Sequence, residues 1–350
     1  MATPTLTPSQ ITDLTATTLR DLGKPRFTEI ATPFQRLIAM RQLVRKNRVV
    51  FRSGTGFQWD VMISDNGSAA NVGLAASDNL NIDDGGMALA TADWRFTTAN
   101  YGIIGQVISM NREPARIVDY IKTRRIRALI SLAVLMENNY WGAPPAVTDV
   151  LTPWGINVWF PKAATQGFYG TVPSGYTTVG LNPTLVPNWA SYTDEYVAVS
   201  LDDLVRKISR MALFTDFQPP VDGIPSFNTG DQPGWFGNYG VIRPLEELLM
   251  AQNSNLGVDI ASQDGKTVIL RTPLTWVPRL ESDTTNPIYL IPWGDFKLFV
   301  LQDWWLKETH VPNYPGQHTV EGHFLDLAYQ PVARNRRTGG VIALGTTYPG

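Results

Sequence analysis

Few residues in this chain are suited to catalysis or metal binding. The sequence has three histidines, His310, His318 and His323, and no cysteine, which excludes disulfides and thiolate metal sites. In one continuous strand, His318 and His323 would face opposite sides of a sheet, because side chains alternate and the two residues are five positions apart. The spacing argues against a metal ion shared by these two, and each histidine is predicted to have a separate structural or exposed role.

Neighbouring carboxylates give no credible acid–base pair either. Glu246-Glu247 and Asp202-Asp203 each lie in a predicted helix, where adjacent side chains diverge by about 100°. The segment Gly265–Thr267 ends like a phosphate-binding loop but lacks the glycine that such a loop needs five residues earlier. These motifs therefore predict neither acid–base catalysis nor nucleotide binding.

Two further features have simpler explanations than a ligand site. Asn79–Gly85 resembles a calcium-binding loop, but Asp84 occupies the position of the turn glycine and Ala90 that of the bidentate glutamate. The eleven tryptophans, among them Trp304 and Trp305, would suit a sugar-binding platform, yet aromatic residues in strands more often fill cores or interfaces. We therefore predict no catalytic residues, no metal site and no cofactor, and a protein that is not an enzyme.

The elements around these residues are ordered unusually for an enzyme. A basic, partly apolar helix over Pro25–Lys46 precedes a long hairpin over Arg48–Met110. Its strands, Phe57–Ile63 and Trp94–Met110, are predicted to pair beneath a polar, glycine-rich tip at 64–86. A two-stranded hairpin is not stable by itself, so this one needs a surface to lie on, for which a neighbouring subunit is one candidate.

A single long helix follows the hairpin. After Pro114 no glycine or proline occurs before Gly142, so a helix about 40 Å long is predicted over Pro114–Tyr140. Its first half is basic and amphipathic, whereas Ile126–Met136 is apolar nearly all round, which predicts burial on several sides.

The rest of the chain alternates short strands with helices and proline- and glycine-rich loops. Two helices are predicted within residues 145–290, at Ser200–Leu213 and Pro244–Asn253. The predicted strands are Lys266–Leu270, Ile288–Ile291, Phe296–Leu301, His323–Tyr329 and Val341–Leu344. The longest apolar run, Ala128–Met136, is about half the length needed to span a bilayer, so no membrane association is expected.

Charge is distributed in three blocks, although the whole chain carries a net charge of only −2. Residues 20–48 contain eight basic and two acidic residues. Residues 51–98 contain six aspartates and two arginines, and residues 111–127 contain six basic and two acidic residues. An acidic hairpin between two basic segments suits docking between subunits; ordinary solvated faces explain the pattern equally well. The candidate inter-subunit contacts are Asp78, Asp83, Asp84, Arg41, Arg45, Lys122, Arg124 and Arg125.

This order of parts resembles the major capsid protein of tailed bacteriophages, the Hong Kong 97-type fold that encapsulins share. The hairpin resembles the extended loop of that family, Pro114–Tyr140 its spine helix, and Phe296–Leu344 the returning strands of its peripheral domain. The resemblance implies an α+β fold with five parts: an N-terminal arm and helix at 1–47, the extended loop and its base strands at 48–110, the spine helix at 111–145, an axial domain at 146–295, and returning strands with a C-terminal tail at 296–350.

The resemblance also implies a structural function. Many copies would form pentamers and hexamers that close into an icosahedral head around double-stranded DNA, bound without sequence specificity, and the virion would assemble in the bacterial cytoplasm. A separate scaffold, a portal and a cement or decoration protein are the further partners implied. Some family members cross-link an extended-loop lysine to an asparagine of a neighbour. No lysine lies between Lys46 and Lys122, so the contacts of this loop are expected to be noncovalent.

Three other functions remain open at this stage. An encapsulin-like nanocompartment would share the fold but enclose protein cargo. An aromatic-rich carbohydrate-binding or hydrolytic protein would be a monomer or small oligomer with affinity for glycans. A tail or decoration protein would form tubes, rings or trimers instead of closed shells.

Overall fold

The computed structural model describes residues 37–44, 48–64, 69, 71, 85–110, 114–171, 181, 186–216, 233–253, 268–269, 272–312, 315–317 and 319–345. The helices in these residues are α1 (Ile38–Leu43), α2 (Gly105–Met110), α3 (Pro114–Trp141), α4 (Ile156–Trp159), α5 (Arg206–Thr215) and α6 (Tyr239–Asn253). A π-helical turn, Leu201–Val205, precedes α5, and 3₁₀ turns lie at Pro278–Ser282 and Arg336–Thr338.

The strands of the described residues follow the same chain order. They are β1 (Val49–Arg52), β2 (Gly56–Met62), β3 (Met87–Asp93), β4 (Arg95–Ile104), β5 (Gly167–Gly170), β6 (Ser191–Tyr196), β7 (Gly234–Gly237), β8 (Val268–Ile269), β9 (Thr272–Trp276), β10 (Ile288–Ile291), β11 (Phe296–Leu301), β12 (Lys307–Val311), β13 (Val320–Ala333) and β14 (Gly340–Leu344).

The long helix α3 runs between the two main sheets. Its bounds lie within one residue of the prediction, because proline suits a first helical turn and no glycine or proline interrupts the segment before Gly142. The prediction of burial on several sides is wrong for one side, since Arg127, Ser131 and Leu135 are exposed. They recur every four residues and therefore form one stripe. The buried stripe of the helix is Ile121, Ala128, Leu132, Met136 and Tyr140.

β13 is the centre of a five-stranded sheet. Tyr101 of β4 and His310 of β12 lie directly opposite His323 on its two sides, so β4 and β12 flank β13 on opposite edges. β11 pairs with β13 further along the edge that β12 occupies, and β1 adds a parallel strand outside β11. The first half of α3 packs on one face of this sheet through Tyr101, Ile103, Ile108, Ile121, Ala128 and Leu325.

A seven-stranded mixed sheet has the order β5-β6-β14-β10-β7-β9-β8. One of its faces is covered by α5 and α6, through a core that includes Leu204, Met211 and Trp235. The opposite face contributes Phe236, Tyr289 and Val341 to a second core. That core also contains the C-terminal half of α3 and the buried side of the five-stranded sheet. The end of the long helix thus joins the two sheets.

The hairpin differs from its prediction in its second strand. β2 pairs with β3, whose first residues border the predicted polar tip, and β4 pairs with β13 instead. Residues 105–110, predicted as strand, form the short helix α2. The pairing of β4 with β13 buries Tyr101 and Ile103 against α3, a gain that depends on distant residues and that no local pattern shows.

The last described strand also pairs with a distant partner. Gly340–Leu344 lies parallel to β6 and antiparallel to β10 in the seven-stranded sheet, not beside the strands between Phe296 and Ala333. The domain boundaries inferred from the resemblance stay predictions.

The helix predicted over Ser200–Leu213 begins where expected, and its first turn is π-helical. Ser200 caps it, accepting a hydrogen bond from the Asp203 N–H. Leu213, the last residue of the predicted helix, is 76% exposed, whereas Met211 is fully buried. Leu213 lies five residues after Ile208, about 140° further round the α-helix, so it faces away from the stripe of Ile208, Met211 and Thr215 that is buried.

Candidate functional site

β2 and β3 form an antiparallel two-stranded unit, which we call the ribbon. Phe57 lies opposite Ala92 at its base, and Met62 lies opposite Met87 at the far end. Because side chains alternate along each strand, one face of the ribbon carries Phe57, Trp59, Val61, Ala88, Ala90 and Ala92. Three of these residues are buried at the base, so this face lies on the rest of the subunit.

Aromatic contacts fix the base of the ribbon to the five-stranded sheet. The ring of Phe57 stacks on that of Phe299 in β11, with centroids 4.4 Å apart and planes 9° from parallel. Trp94 packs against Phe57 at 5.3 Å, and its indole N–H donates to the Gly54 carbonyl at 2.9 Å. These contacts fix the base of the ribbon to the five-stranded sheet.

The opposite face of the ribbon is apolar at its far end and uncovered. Met62 is 63% exposed, Met87 59% and Leu89 49%. Met62 and Met87 are cross-strand neighbours, and Leu89 is opposite Asp60, so the three side chains form one patch. Methionine adapts its shape to varied partners, and contiguous exposed apolar patches mark interaction sites. Met62 gives only a weak sequence signal for this patch, because it shares the outward face of its strand with polar residues.

A buried carboxylate of α3 holds the helix α1. The backbone N–H groups of Ile38, Ala39 and Met40 donate to Glu137, each at 3.0 Å, and the Trp141 indole N–H donates to it at 2.8 Å. First-turn N–H groups have no partner within their own helix, and the helix dipole favours an anion there. Glu137 therefore fixes the position of α1 on α3.

A buried guanidinium fastens three other segments together. Arg336 is fully buried and donates to the carbonyls of Trp159 at 2.8 Å, Trp189 at 3.0 Å and Gly170 at 2.9 Å. Burial lowers the pKa of Arg336 to about 9, and the group stays charged at neutral pH. The rigid fork of donors suits three fixed acceptors. We call Glu137 and Arg336, with the segments that they bind, the joint.

Solved structures overlap this arrangement over almost the whole chain. The alignment with the cyanophage A-1(L) capsid covers 92% of this chain and 96% of that one, at 14% identity and a TM-score of 0.61. The alignment with the capsid of a native GTA particle covers 93% of this chain and 96% of that one, at 10% identity and a TM-score of 0.56. The alignment with the SrpI encapsulin of Synechococcus elongatus covers 95% of this chain and 98% of that one, at 10% identity and a TM-score of 0.52.

The chain has the Hong Kong 97-type capsid fold. No protein-family model and no curated protein matches it, so the capsid fold is retained in the order and packing of elements at 10–14% identity. No helix of the described residues is long and apolar enough to cross a membrane.

The predicted contact residues are dispersed on the capsid fold. Arg41 is exposed on α1, and Lys122 is half-buried on α3. Arg124 lies over the ring of Tyr120 at 5.2 Å. Arg125 Nε donates to Glu308 at 3.2 Å within the same subunit, so it already has a partner. Their roles between subunits stay predictions. The remaining candidates, Asp78, Asp83, Asp84 and Arg45, lie outside the described residues.

The structure places two of the three histidines side by side. His310 and His323 are paired across β12 and β13, with ring centroids 4.7 Å apart, and the roles of the histidines stay predictions. The sequence argument compared His318 with His323, and His318 lies outside the described residues. The pair that the structure brings together depends on the register of two strands, which the spacing alone does not give.

Burial controls the electrostatics of this pair. His323 is 3% exposed. Burial, assisted by His310 and opposed by Glu308, lowers the pKa of His323 to about 4, so its ring is neutral at pH 7. Tyr101 stacks on the other side of His323 at 4.8 Å and donates a hydrogen bond to Glu308. The cluster lies beneath the first half of α3, next to the Arg125–Glu308 ion pair.

Proposed function

We propose that the chain is the major capsid protein of a tailed-phage head. Many copies would form pentamers and hexamers that enclose double-stranded DNA. The observation that carries the proposal is the overlap with the cyanophage capsid, which covers both chains almost end to end. The encapsulin shares the fold at a TM-score of 0.52, so the contents of the shell, tested below, separate a phage head from a nanocompartment.

The ribbon supports a function in assembly. A two-stranded unit with one uncovered apolar face is marginal in water, and a second copy of the chain that covers Met62, Met87 and Leu89 would complete it. Obligate interfaces of this type bury about 2,000–5,000 Å². In this proposal the ribbon corresponds to the extended loop, α3 to the spine helix, and the seven-stranded sheet with α5 and α6 to the axial domain.

Electrostatic docking is a second part of the proposal. The acidic residues Asp78, Asp83 and Asp84 would dock on basic residues of a neighbour, such as Arg41 and Lys122. The double variant Asp83→Lys with Asp84→Lys should assemble more weakly, and salt should reduce the yield of wild-type particles. An unchanged particle yield for this variant at several salt concentrations would exclude the docking scheme without affecting the shell function.

The decisive experiment combines electron microscopy with nuclease protection. The chain is expressed with and without candidate scaffold proteins, purified by size-exclusion chromatography and viewed in negative stain. Closed icosahedral particles, or rings of five and six subunits, are expected. Particles produced during infection should protect DNA of no fixed sequence from nuclease, because backbone contacts dominate such binding.

Two outcomes would contradict parts of this proposal. Closed shells that contain one protein cargo and no DNA would identify a nanocompartment. A chain that stays monomeric with every scaffold candidate and at high concentration would exclude a shell function, and glycan binding would then be the next property to test.

A further inference from the structure

Three adjacent strands place Tyr101, His323 and His310 in one row beneath α3. Glu321 lies two residues before His323 on β13 and therefore on the same face of the sheet. His310 Nε2 lies 3.3 Å from Glu321 Oε2. One ligand atom from each of His310, Glu321 and His323 lies within 4.8 Å of the other two. In the part of the chain that the structure describes, this is the one group of side chains with the spacing of a metal site.

His323 supplies an independent reason to expect a ligand. Its Nδ1 faces Glu308, 3.9 Å from Oε1. Its Nε2 is buried and has no hydrogen-bond partner among the described residues, although buried polar atoms are nearly always paired. An unpaired nitrogen in a nine-tenths buried ring, beside a second imidazole and a carboxylate, is chemically suited to a cation.

We propose that His310, Glu321 and His323 bind a divalent transition-metal ion, with zinc as the natural occupant. Two imidazole nitrogens and one carboxylate oxygen form a donor set that zinc accepts, with water in the fourth position. Calcium and magnesium prefer oxygen ligands and are disfavoured here. Donor atoms around tetrahedral zinc are about 3.3 Å apart. His310 and Glu321 already have this spacing, and the widest pair, at up to 4.8 Å, closes by about 1.5 Å. The partial exposure of His310 leaves it room to move.

A second layer of contacts positions the ligands. Glu308 accepts hydrogen bonds from Tyr101 and from Arg125 Nε, and its carboxylate faces the Nδ1 side of His323. A carboxylate behind a histidine orients the ring and directs the other nitrogen to the metal. The bound ion would clamp β12 to β13 beneath α3. This function does not depend on the proposed assembly and can be measured on the subunit.

The test uses the full chain stripped of metal with EDTA and then titrated with Zn²⁺ or Co²⁺. We expect one ion per chain, a visible Co²⁺ spectrum of four-coordinate type that Zn²⁺ displaces, and a higher melting temperature with Zn²⁺ but not with Mg²⁺. His310→Gln should weaken binding at least about tenfold, with an unchanged circular dichroism spectrum and an unchanged melting temperature in EDTA. Lys307→Gln, on the same strand but the opposite face, is the matched control and should bind as the wild type does.

Two results would overturn the proposal. A wild-type chain that binds no Zn²⁺ would leave the three residues as a hydrogen-bonded cluster. Equal Zn²⁺ affinity in the wild type and in His310→Gln would place the binding elsewhere. If His310→Gln fails to fold, Glu321→Gln gives the same comparison, because the amide keeps the size of the side chain and weakens its affinity for the ion.

Discussion

The joint and the ribbon differ in how completely one chain satisfies them. At the joint, Glu137 accepts four hydrogen bonds and Arg336 makes three, all within the subunit and almost without solvent. On the ribbon, one face is packed on Phe299, while the methionines of the other remain exposed. We therefore expect the joint to govern the stability of the subunit, and in the proposed function the ribbon governs its contacts with other copies. Substitutions in the two regions should therefore have separable effects.

Removal of Arg336 should have the largest effect on stability. Arg336→Ala leaves three buried carbonyls without donors and opens a cavity, so we expect a loss of about 4 kcal/mol in the free energy of unfolding, measured by urea denaturation of the unassembled chain. The matched control is Arg337→Ala. Arg337 makes one exposed hydrogen bond and a cation–π contact with Phe168, so its loss should cost about 1 kcal/mol or less. Similar losses for the two variants would contradict the assigned function of the joint.

Neutralisation of Glu137 should have the next largest effect. Glu137→Gln replaces an acceptor oxygen by an NH₂ group that cannot accept from the first turn of α1, at a cost of about 2 kcal/mol. Hydrogen exchange should accelerate at the amides of Ile38, Ala39 and Met40. Glu247→Gln, on an exposed helix face, serves as the control and should stay within about 0.5 kcal/mol of the wild type. Unchanged exchange at the three amides would show that α1 is held by other contacts.

Asp283, which bonds to Lys162, is expected to make a pH-dependent contribution to the free energy of unfolding. Burial alone would raise the pKa of Asp283, but hydrogen bonds from Lys162 and Thr285 outweigh it and hold the pKa below its usual value. Its contribution to stability is therefore present above about pH 4 and is lost as the pH falls through the lowered pKa. Asp283→Asn should cost at most about 1 kcal/mol at pH 7. The gap to the wild type should narrow below pH 4 in denaturation curves, and a gap that widens on acidification would refute this sign.

Substitutions on the ribbon should affect stability least and assembly most. The double variant Met62→Ser with Met87→Ser removes exposed side chains, so the free energy of unfolding should change by less than about 0.5 kcal/mol. Closed particles should nevertheless disappear from negative-stain images. The control, Met110→Ser, changes a methionine that is 75% exposed, more than either ribbon methionine, but lies on α2. Normal shells from the ribbon variant would show that this patch is not an interface.

The sequence predicted the elements far better than their partners. The long helix was readable because Pro114 and Gly142 bound a segment free of other helix breakers, and the strands at 288–291 and 296–301 were readable from compact apolar runs. Local propensity and periodicity act over a few residues. They do not contain the register that places β4 on β13 or β14 beside β6.

The candidate site shows the same division. A hairpin was predicted, but with Trp94–Met110 as its second strand, and most of its polar tip lies outside the described residues. The apolar patch depends on the actual register, in which Met62 is opposite Met87. The buried charges Glu137 and Arg336 gave no local signal, because their partners are backbone groups of segments distant in sequence. The pairing of His310 with His323 was missed for the same reason.

The position of β13 and β14 has a consequence for synthesis. These are the last strands of the described chain, yet each lies inside its sheet, β13 between β4 and β11 or β12, and β14 between β6 and β10. Neither sheet can close until the C-terminal stretch has left the ribosome, because its central strand is still missing. A chain that lacks β13 would leave β11, on which the base of the ribbon packs through Phe299, without its antiparallel partner.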